Sequence, residues 1–207
     1  MSHSESLVIV SLMSGNGFTG VETHFREIAA AAQRHGIHSA VVSPGFASRW
    51  QQRAWHLPTR VVGLFSKEQS YRLFRALARR RVRKKLSRQL KARRGPVTLY
   101  AQDPLSAEIC LAFRDAPETR VVCVTHFNVS EAHELDTLGL LASGGRLHRE
   151  LDRTEARALG AADTVIFVSS DQKRRVLERL PHLSDSSMHV LPNFVARPLP
   201  APGATTP

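Results

Sequence analysis

Short apolar runs rich in valine and isoleucine alternate along the chain with stretches whose apolar residues recur every three or four positions. The first pattern predicts strands buried on both faces, and the second predicts amphipathic helices. The predicted strands are residues 7–13, 39–43, 97–101, 120–125, 164–169 and 188–191, with a further short strand at 61–64. The predicted helices are 20–34, 67–93, 105–113, 130–141, 146–160 and 170–180, and the proline and glycine breakers of 44–60 predict an irregular segment.

This alternation of strand and helix predicts an α/β fold, namely a Rossmann-like, doubly wound parallel sheet with helices on both faces. In such sheets ligands bind at the carboxyl ends of the strands. We expect one domain over residues 1–197. The remaining residues, 198–207, are rich in proline, alanine and threonine and predict a tail or the start of a linker.

Glycines follow the first predicted strand in G-x-G-x-x-G spacing, at Gly15, Gly17 and Gly20. A glycine turn that leads into a helix N-terminus can hold a phosphate, because the helix presents unpaired N–H groups there. The alternative is a plain strand-to-helix turn. The second predicted strand is followed by no Asp or Glu before Arg49, which counts against NAD, and no G-K-[ST] indicates a P-loop.

Polar residues near strand ends are the candidates for chemistry. His126 follows strand 120–125, where an imidazole can hydrogen-bond a sugar or phosphate or carry a proton near neutral pH. Asn128 lies in the same segment. Asp103 follows strand 97–101 and either caps the next helix or faces the cleft. Glu155 and Asn193 are further candidates, although a solvated helix position and a turn, respectively, would also explain them.

The sequence contains no clear metal or nucleophile motif. The histidines lack H-E-x-x-H spacing, and no G-x-S-x-G elbow is present. We expect Cys110 and Cys123 to be reduced core residues. No apolar run approaches the length of a membrane span, and the N-terminal MSHSES is too polar for a signal peptide, so we expect a cytoplasmic protein.

The net charge of +11 originates in one segment. Residues 72–94 hold twelve Lys/Arg and no Asp/Glu, which leaves 17 basic and 18 acidic residues elsewhere. A solvated helix packed on the sheet and a helix attracted to anionic phospholipid are comparable interpretations, whereas nucleic acid is a weaker one because the segment has a single aromatic residue. The candidate membrane-facing residues are Arg79, Arg80, Arg81, Arg83, Lys84 and Lys85.

Four segments in order resemble the N-terminal domain of a GT-B fold, of the retaining glycosyltransferase family 4 type. Residues 17–24, GFTGVETH, resemble the family's G-G-x-E-x-h segment, with Thr19 in place of a glycine. Residues 121–126 resemble its strand that ends in histidine. Residues 155–169 resemble its E…aD-x-v-i-x-x-S segment, and residues 190–193, VLPN, resemble its v-i-P-N segment.

The resemblance implies an acceptor-binding domain that works with a nucleotide-diphosphate sugar as donor, without a cofactor or metal, and with retention at the anomeric carbon. Gly17, Thr19 and Gly20 would face the donor diphosphate, and His126 would contact the donor sugar. The remaining candidates would face the acceptor or the cleft; they are Glu22, Asp103, Asn128, Glu155 and Asn193.

The family's second domain, with its E-x7-E donor motif, has no counterpart after Asn193. We therefore expect the isolated chain to be inactive and to need a C-terminal domain, in the same natural chain or as a separate subunit. We expect its partners to be the donor, a sugar or lipid-linked acceptor and an anionic membrane surface at the inner face of the cell. The alternatives are a non-catalytic phosphate- or nucleotide-binding module and a basic protein that associates with membrane or RNA through residues 72–94.

Overall fold

The computed structural model describes residues 5–13, 20–45, 49–93, 95–115, 118–183 and 187–192. Its centre is a six-stranded, wholly parallel sheet of order β2-β1-β3-β4-β5-β6. The strands are β1 (Ser6–Val10), β2 (His38–Val42), β3 (Val97–Ala101), β4 (Thr119–Thr125), β5 (Thr164–Phe167) and β6 (Met188–Val190). The predicted α/β fold is confirmed.

The helices connect these strands as crossovers. They are α1 (Gly20–Arg34), α2 (Arg49–Gly63), α3 (Lys67–Lys91), α4 (Pro104–Leu111), α5 (Glu131–Thr137), α6 (Arg146–Ala161) and α7 (Ser170–Arg179). Within the described residues, no helix is both long enough and apolar enough to cross a bilayer.

Alternate residues of each strand enter different cores, as the two-residue period of a strand requires. On one face Val8, Leu99 and Phe167 pack among residues of α3, α4 and α6. On the other face Ile9 and Tyr100 pack against α1. Helices therefore cover both faces of the sheet, as predicted. The two cysteines are free and buried in the first of these cores.

The interpretation of residues 44–64 is wrong over most of its length. Instead of an irregular segment and a short strand, residues 49–63 form α2, with Pro58 inside the helix. Packing against α3 supports this helix: the Ser70 hydroxyl donates to the Thr59 carbonyl at 2.6 Å, and His56 stacks on Phe74. Tertiary contacts thus outweigh the backbone hydrogen bond that a helix-interior proline removes.

Other element boundaries shift by a few residues for local reasons. The predicted helix 130–141 ends as α5 at Thr137, since Gly139 adopts a φ of 64° that terminates a helix. The predicted strand 164–169 ends at Phe167, because the Ser169 side chain accepts a hydrogen bond from the Gln172 N–H and caps α7.

Candidate functional site

The carboxyl ends of β1, β3 and β4 lie side by side in the middle of the sheet. Val10 pairs in register with Ala101, and Ala101 pairs with Cys123. The segment Gln102–Asp103 and the residue His126 leave the sheet at this edge. The strand order, read with the strand ends, therefore gathers polar side chains that are far apart in sequence.

His126 is held by Gln102, a residue that sequence reasoning missed. The two side chains meet with 3.1 Å between His126 Nε2 and Gln102 Oε1. In this arrangement Nε2 carries the proton and donates it, which leaves Nδ1 as an acceptor. Among the described residues no group hydrogen-bonds His126 Nδ1. Gln102 itself is buried, and its Nε2 has no hydrogen-bond partner among the described residues.

A second histidine packs against His126. His24 of α1 is buried, with its ring centroid 5.2 Å from that of His126 in an edge-to-face arrangement. Its Nε2 lies 3.1 Å from the Tyr100 hydroxyl. Beyond the place of His24 in segment 17–24, no sequence pattern indicates that it lies near His126, since only the packing of α1 over β3 brings the two together.

Burial keeps His126 neutral. Desolvation, together with the neighbouring His24, lowers the pKa of His126 to about 4. Desolvation also lowers the pKa of His24. An imidazole with such a pKa is uncharged at neutral pH, so His126 acts there as a hydrogen-bonding group rather than as a cation.

Asp103 takes the capping role that the sequence left open. Its Oδ1 accepts the Ser106 N–H at 2.7 Å and its Oδ2 accepts the Ser106 hydroxyl at 2.6 Å, at the N-terminus of α4. Burial raises the pKa of Asp103, although the hydrogen bonds from Ser106 oppose that rise. With both oxygens committed to Ser106, Asp103 positions α4 at the edge of the site.

A buried polar cluster beside Asp103 was not anticipated. The Tyr71 hydroxyl of α3 donates to Glu131 Oε1 at the start of α5, and Arg75 Nη2 lies 3.7 Å from Glu131 Oε2. Burial raises the pKa of Glu131 and that of Tyr71. This cluster fixes α3 and α5 beside the segment that carries His126. No sequence pattern indicates this cluster, because Tyr71 and Glu131 are 60 residues apart.

Glu155 is buried rather than solvated, with a side chain that is 6% exposed and bound to Arg179 of α7 at 2.7 Å. Burial raises its pKa to about 7, and the nearby Arg179 limits that rise. The same Arg179 donates to the Val129 carbonyl, and Gln172 Nε2 donates to the Phe127 carbonyl. Glu155 thus holds an arginine that anchors the loop following His126.

The positions of the other predicted residues assign them no role in the site. Gly17, Thr19 and Asn193 lie outside the described residues. Gly20 opens α1, where an added Cβ would meet no atom within 4 Å, so protein packing does not require a glycine there. Glu22 is buried in the first turn of α1. Asn128 is exposed, and its N–H donates to Glu134.

The six residues of α3 that the sequence predicts to face a membrane divide into two groups. Arg81 and Lys85 turn towards the end of β2: Arg81 donates to the Gly45 carbonyl, and Lys85 donates to the Ser43 and Gly45 carbonyls. Burial lowers the pKa of Lys85. The other four are exposed, and one of them, Arg79, pairs with Glu108 at 3.1 Å. Arg80, Arg83 and Lys84 thus remain as the cations best placed to meet an external anion.

In the described part of the chain, no group of three or more His, Cys, Asp or Glu side chains is placed to hold a metal ion. The site offers neutral hydrogen-bonding groups at His126 and Gln102 and a helix N-terminus at Gly20. Such an arrangement can orient hydroxyl groups and favour a negatively charged group beside the helix.

Most of the chain matches the model of a known protein family. A family model described as Glycosyltransferase Family 4 matches residues 18–197. No curated protein matches the chain. The matched segment includes every predicted site residue except Gly17.

Proposed function

Since the chain belongs to glycosyltransferase family 4, we propose that it is the acceptor-side half of a retaining enzyme that transfers a sugar from a nucleotide-diphosphate donor. A donor-side domain, in the same natural chain or as a separate subunit, completes the cleft at the carboxyl edge of the sheet. The N-terminus of α1 near Gly20, with Gly17 and Thr19 before it, faces the donor diphosphate. Neither a cofactor nor a metal is required.

The observation that carries this proposal is the position of His126 at the carboxyl edge of the sheet, with its Nε2 3.1 Å from Gln102 Oε1. His126 is half-buried, and its Nδ1 has no hydrogen-bond partner among the described residues. An imidazole nitrogen without a proton can accept a hydrogen bond from a sugar hydroxyl group. Because His126 is neutral at working pH, it can bind a hydroxyl without adding positive charge.

The chemistry that these groups support is positioning and electrostatic stabilisation. In the proposed mechanism the acceptor hydroxyl attacks on the face from which the diphosphate leaves, so that the anomeric configuration is retained. The α1 N-terminus stabilises the charge that develops on the diphosphate. His126 and Gln102 orient the donor sugar, and Asp103 and Glu155 act indirectly by fixing α4 and the loop after β4.

A direct test uses the chain alone and the chain joined to a family 4 donor domain. We expect the joined protein to transfer sugar with retention, as read from the anomeric proton couplings of the product, and the chain alone to show no turnover. Acceptor sugars should raise the melting temperature of the chain alone, as expected for ligands that bind the native state. Robust transfer by the chain alone, or an inverted product, would refute the proposal.

A second feature favours attachment to the inner face of the cell membrane. Large apolar side chains on α2 and the turn after it point into solvent: Trp50 is 75% exposed, Leu64 is 82% exposed and Phe65 is 88% exposed. Positions 50, 57, 61 and 64 follow the heptad spacing of one helix face. We call Trp50, Leu57, Val61, Leu64 and Phe65 the α2 stripe.

The charge around the α2 stripe fits an anionic lipid surface. Residues 49–91 hold fourteen Lys/Arg and one acidic residue, Glu68. An amphipathic helix with apolar side chains on one face and cations beside them lies at the boundary between headgroups and acyl chains. This places the apolar contact of the proposed membrane surface on α2, with the exposed residues Arg80, Arg83 and Lys84 of α3 as supporting cations.

Replacing the end of the α2 stripe should release the protein from membranes. We expect Leu64→Ser/Phe65→Ser to weaken binding to anionic vesicles by at least about tenfold, since each inserted side chain contributes about 1.5–3 kcal/mol. Cosedimentation with phosphatidylglycerol vesicles measures the effect. Leu138→Ser is the matched control, because Leu138 is also exposed but follows α5. Equal binding by the double variant and the wild type would exclude the stripe as a membrane contact.

A further inference from the structure

A groove lined by arginines lies between α3, α4 and α6, apart from the His126 site. Its volume is about 420 Å³. Two carboxylates, Glu108 and Glu150, line it, as do Leu105, Leu147 and Thr154. The arginines that line it are Arg72, Arg75, Arg79, Arg80, Arg83 and Arg157.

Both carboxylates of the lining are already paired with arginines. Glu108 of α4 lies between two helices, with its Oε2 3.1 Å from Arg79 of α3 and its Oε1 2.8 Å from Arg157 of α6. Glu150 accepts from Arg72 at 3.0 Å. These pairs orient the guanidinium groups of Arg72, Arg79 and Arg157 along the walls of the groove.

Arg80 and Arg83 supply charge that the lining does not balance. In the described part of the chain neither has a carboxylate within ion-pair distance, and they lie three residues apart on α3, on neighbouring turns of one side. The six arginines face two glutamates of the lining, and Arg75 also pairs with Glu131, which leaves an excess of three positive charges around one groove. Their mutual repulsion would be relieved by an anion.

The composition of the groove suits a phosphate. Its cations are all arginines, whose planar guanidinium groups bind phosphate oxygens in pairs. Leu105 and Leu147 give it an apolar part, and the mostly buried Thr154 adds a hydroxyl group. By contrast, a larger groove of about 620 Å³ at the amino edge of the sheet is lined by Glu5, Glu118 and Asp163 against Arg114 and Arg120.

We propose that this groove binds the phosphoryl group of an organic phosphate, with Arg80 and Arg83 as its principal ligands. The rest of the ligand lies over Leu105 and Leu147. The phosphoryl group belongs either to a soluble phosphorylated compound or to the headgroup of a lipid, since the recognition chemistry is the same. The proposal is independent of glycosyl transfer at His126.

The test compares two double variants of the same helix. Arg80→Gln/Arg83→Gln removes two charges from the groove, and Arg88→Gln/Lys91→Gln removes two charges from exposed positions of α3 outside the lining, with the same spacing of three residues. The melting temperature Tm of the chain is measured against inorganic phosphate at constant ionic strength, with circular dichroism to verify folding. We expect a saturable rise in Tm for the wild type and the control, and an apparent Kd at least about tenfold weaker for the groove variant.

Vesicles identify the source of the phosphoryl group. Phosphatidylcholine vesicles that contain phosphatidate, with its exposed phosphate monoester, are compared with phosphatidylserine vesicles of equal surface charge. Binding that prefers phosphatidate and depends on Arg80 and Arg83 supports the lipid headgroup, and a response to inorganic phosphate alone supports a soluble ligand. If both double variants lost the same amount of phosphate or vesicle binding, the attraction would be diffuse and the proposal would be overturned. The proposal would also be overturned if neither phosphate nor phosphatidate had a saturable effect.

Discussion

His126→Ala, made in the chain joined to its donor domain, should lower kcat/KM for transfer by about 10²–10³, the range seen when one preorganised hydrogen-bond partner of a reacting group is removed. The physical reason is the loss of a neutral imidazole whose Nε2 is fixed by Gln102 and whose Nδ1 is available to the donor sugar in the proposed function. Folding should be little affected, because the side chain is only partly buried and carries no charge. Initial rates at saturating acceptor measure the effect.

Two companion variants sharpen this result. Gln102→Leu keeps His126 but removes the group that fixes its proton on Nε2, so a smaller loss, about tenfold, is expected. His133→Ala is the matched control, since His133 lies exposed on α5, near the same loop. Between pH 6 and 8 the wild-type rate should show no titration of His126, whose pKa is about 4. Unchanged kinetics in His126→Ala would remove this residue from the site.

Arg179→Met should destabilise the fold strongly at alkaline pH and weakly at acidic pH. Its removal leaves the Glu155 carboxylate buried without its partner, a loss of about 3 kcal/mol in the free energy of unfolding. Glu155 can avoid that cost by binding a proton. At pH 5 it is already protonated in the native wild type, because its pKa is raised to about 7, so the loss there should fall to about 1 kcal/mol.

The sign of this pH dependence follows from linkage. The native pKa of Glu155 lies above the ordinary glutamate value of 4.5, so the native state binds the proton more tightly than the unfolded state does. Its contribution is therefore most favourable at low pH and declines as the pH rises towards 7. Without Arg179 the native pKa of Glu155 rises further, and its contribution to stability therefore continues to decline at higher pH.

Urea titrations at pH 5 and pH 8 measure both values. Arg179→Met/Glu155→Gln should lose the extra pH dependence, since no carboxylate remains to be ionised, and it closes a double-mutant cycle. Arg174→Met on the exposed side of the same helix should leave the urea midpoint nearly unchanged, because its ion pairs with Asp171 and Glu178 are solvated. If Arg179→Met lost the same free energy of unfolding at both pH values, protonation of the buried Glu155 would not be the cause of the pH dependence.

The limits of sequence reasoning are clearest at α2. Pro44, Gly45 and Pro58 favoured an irregular segment, and yet residues 49–63 are helical, with Thr59 and His56 in contact with α3. A local pattern cannot indicate a partner on another helix. The solvated position that the sequence allowed as an alternative for Glu155 is excluded for the same reason, since Arg179 of a later helix covers it.

The sequence by itself determined the order of strands and helices, the parallel sheet, the position of His126 at a strand end and the family resemblance, because these depend on residue spacing within short windows. Only the tertiary structure decided which polar groups meet. Gln102 and His24 beside His126, Tyr71 on Glu131, and the arginines of α3 and α6 around Glu108 join residues that are 24 to 102 positions apart. The order of the strands within the sheet and the packing of the crossover helices bring these residues together. Neither is encoded in a local sequence pattern.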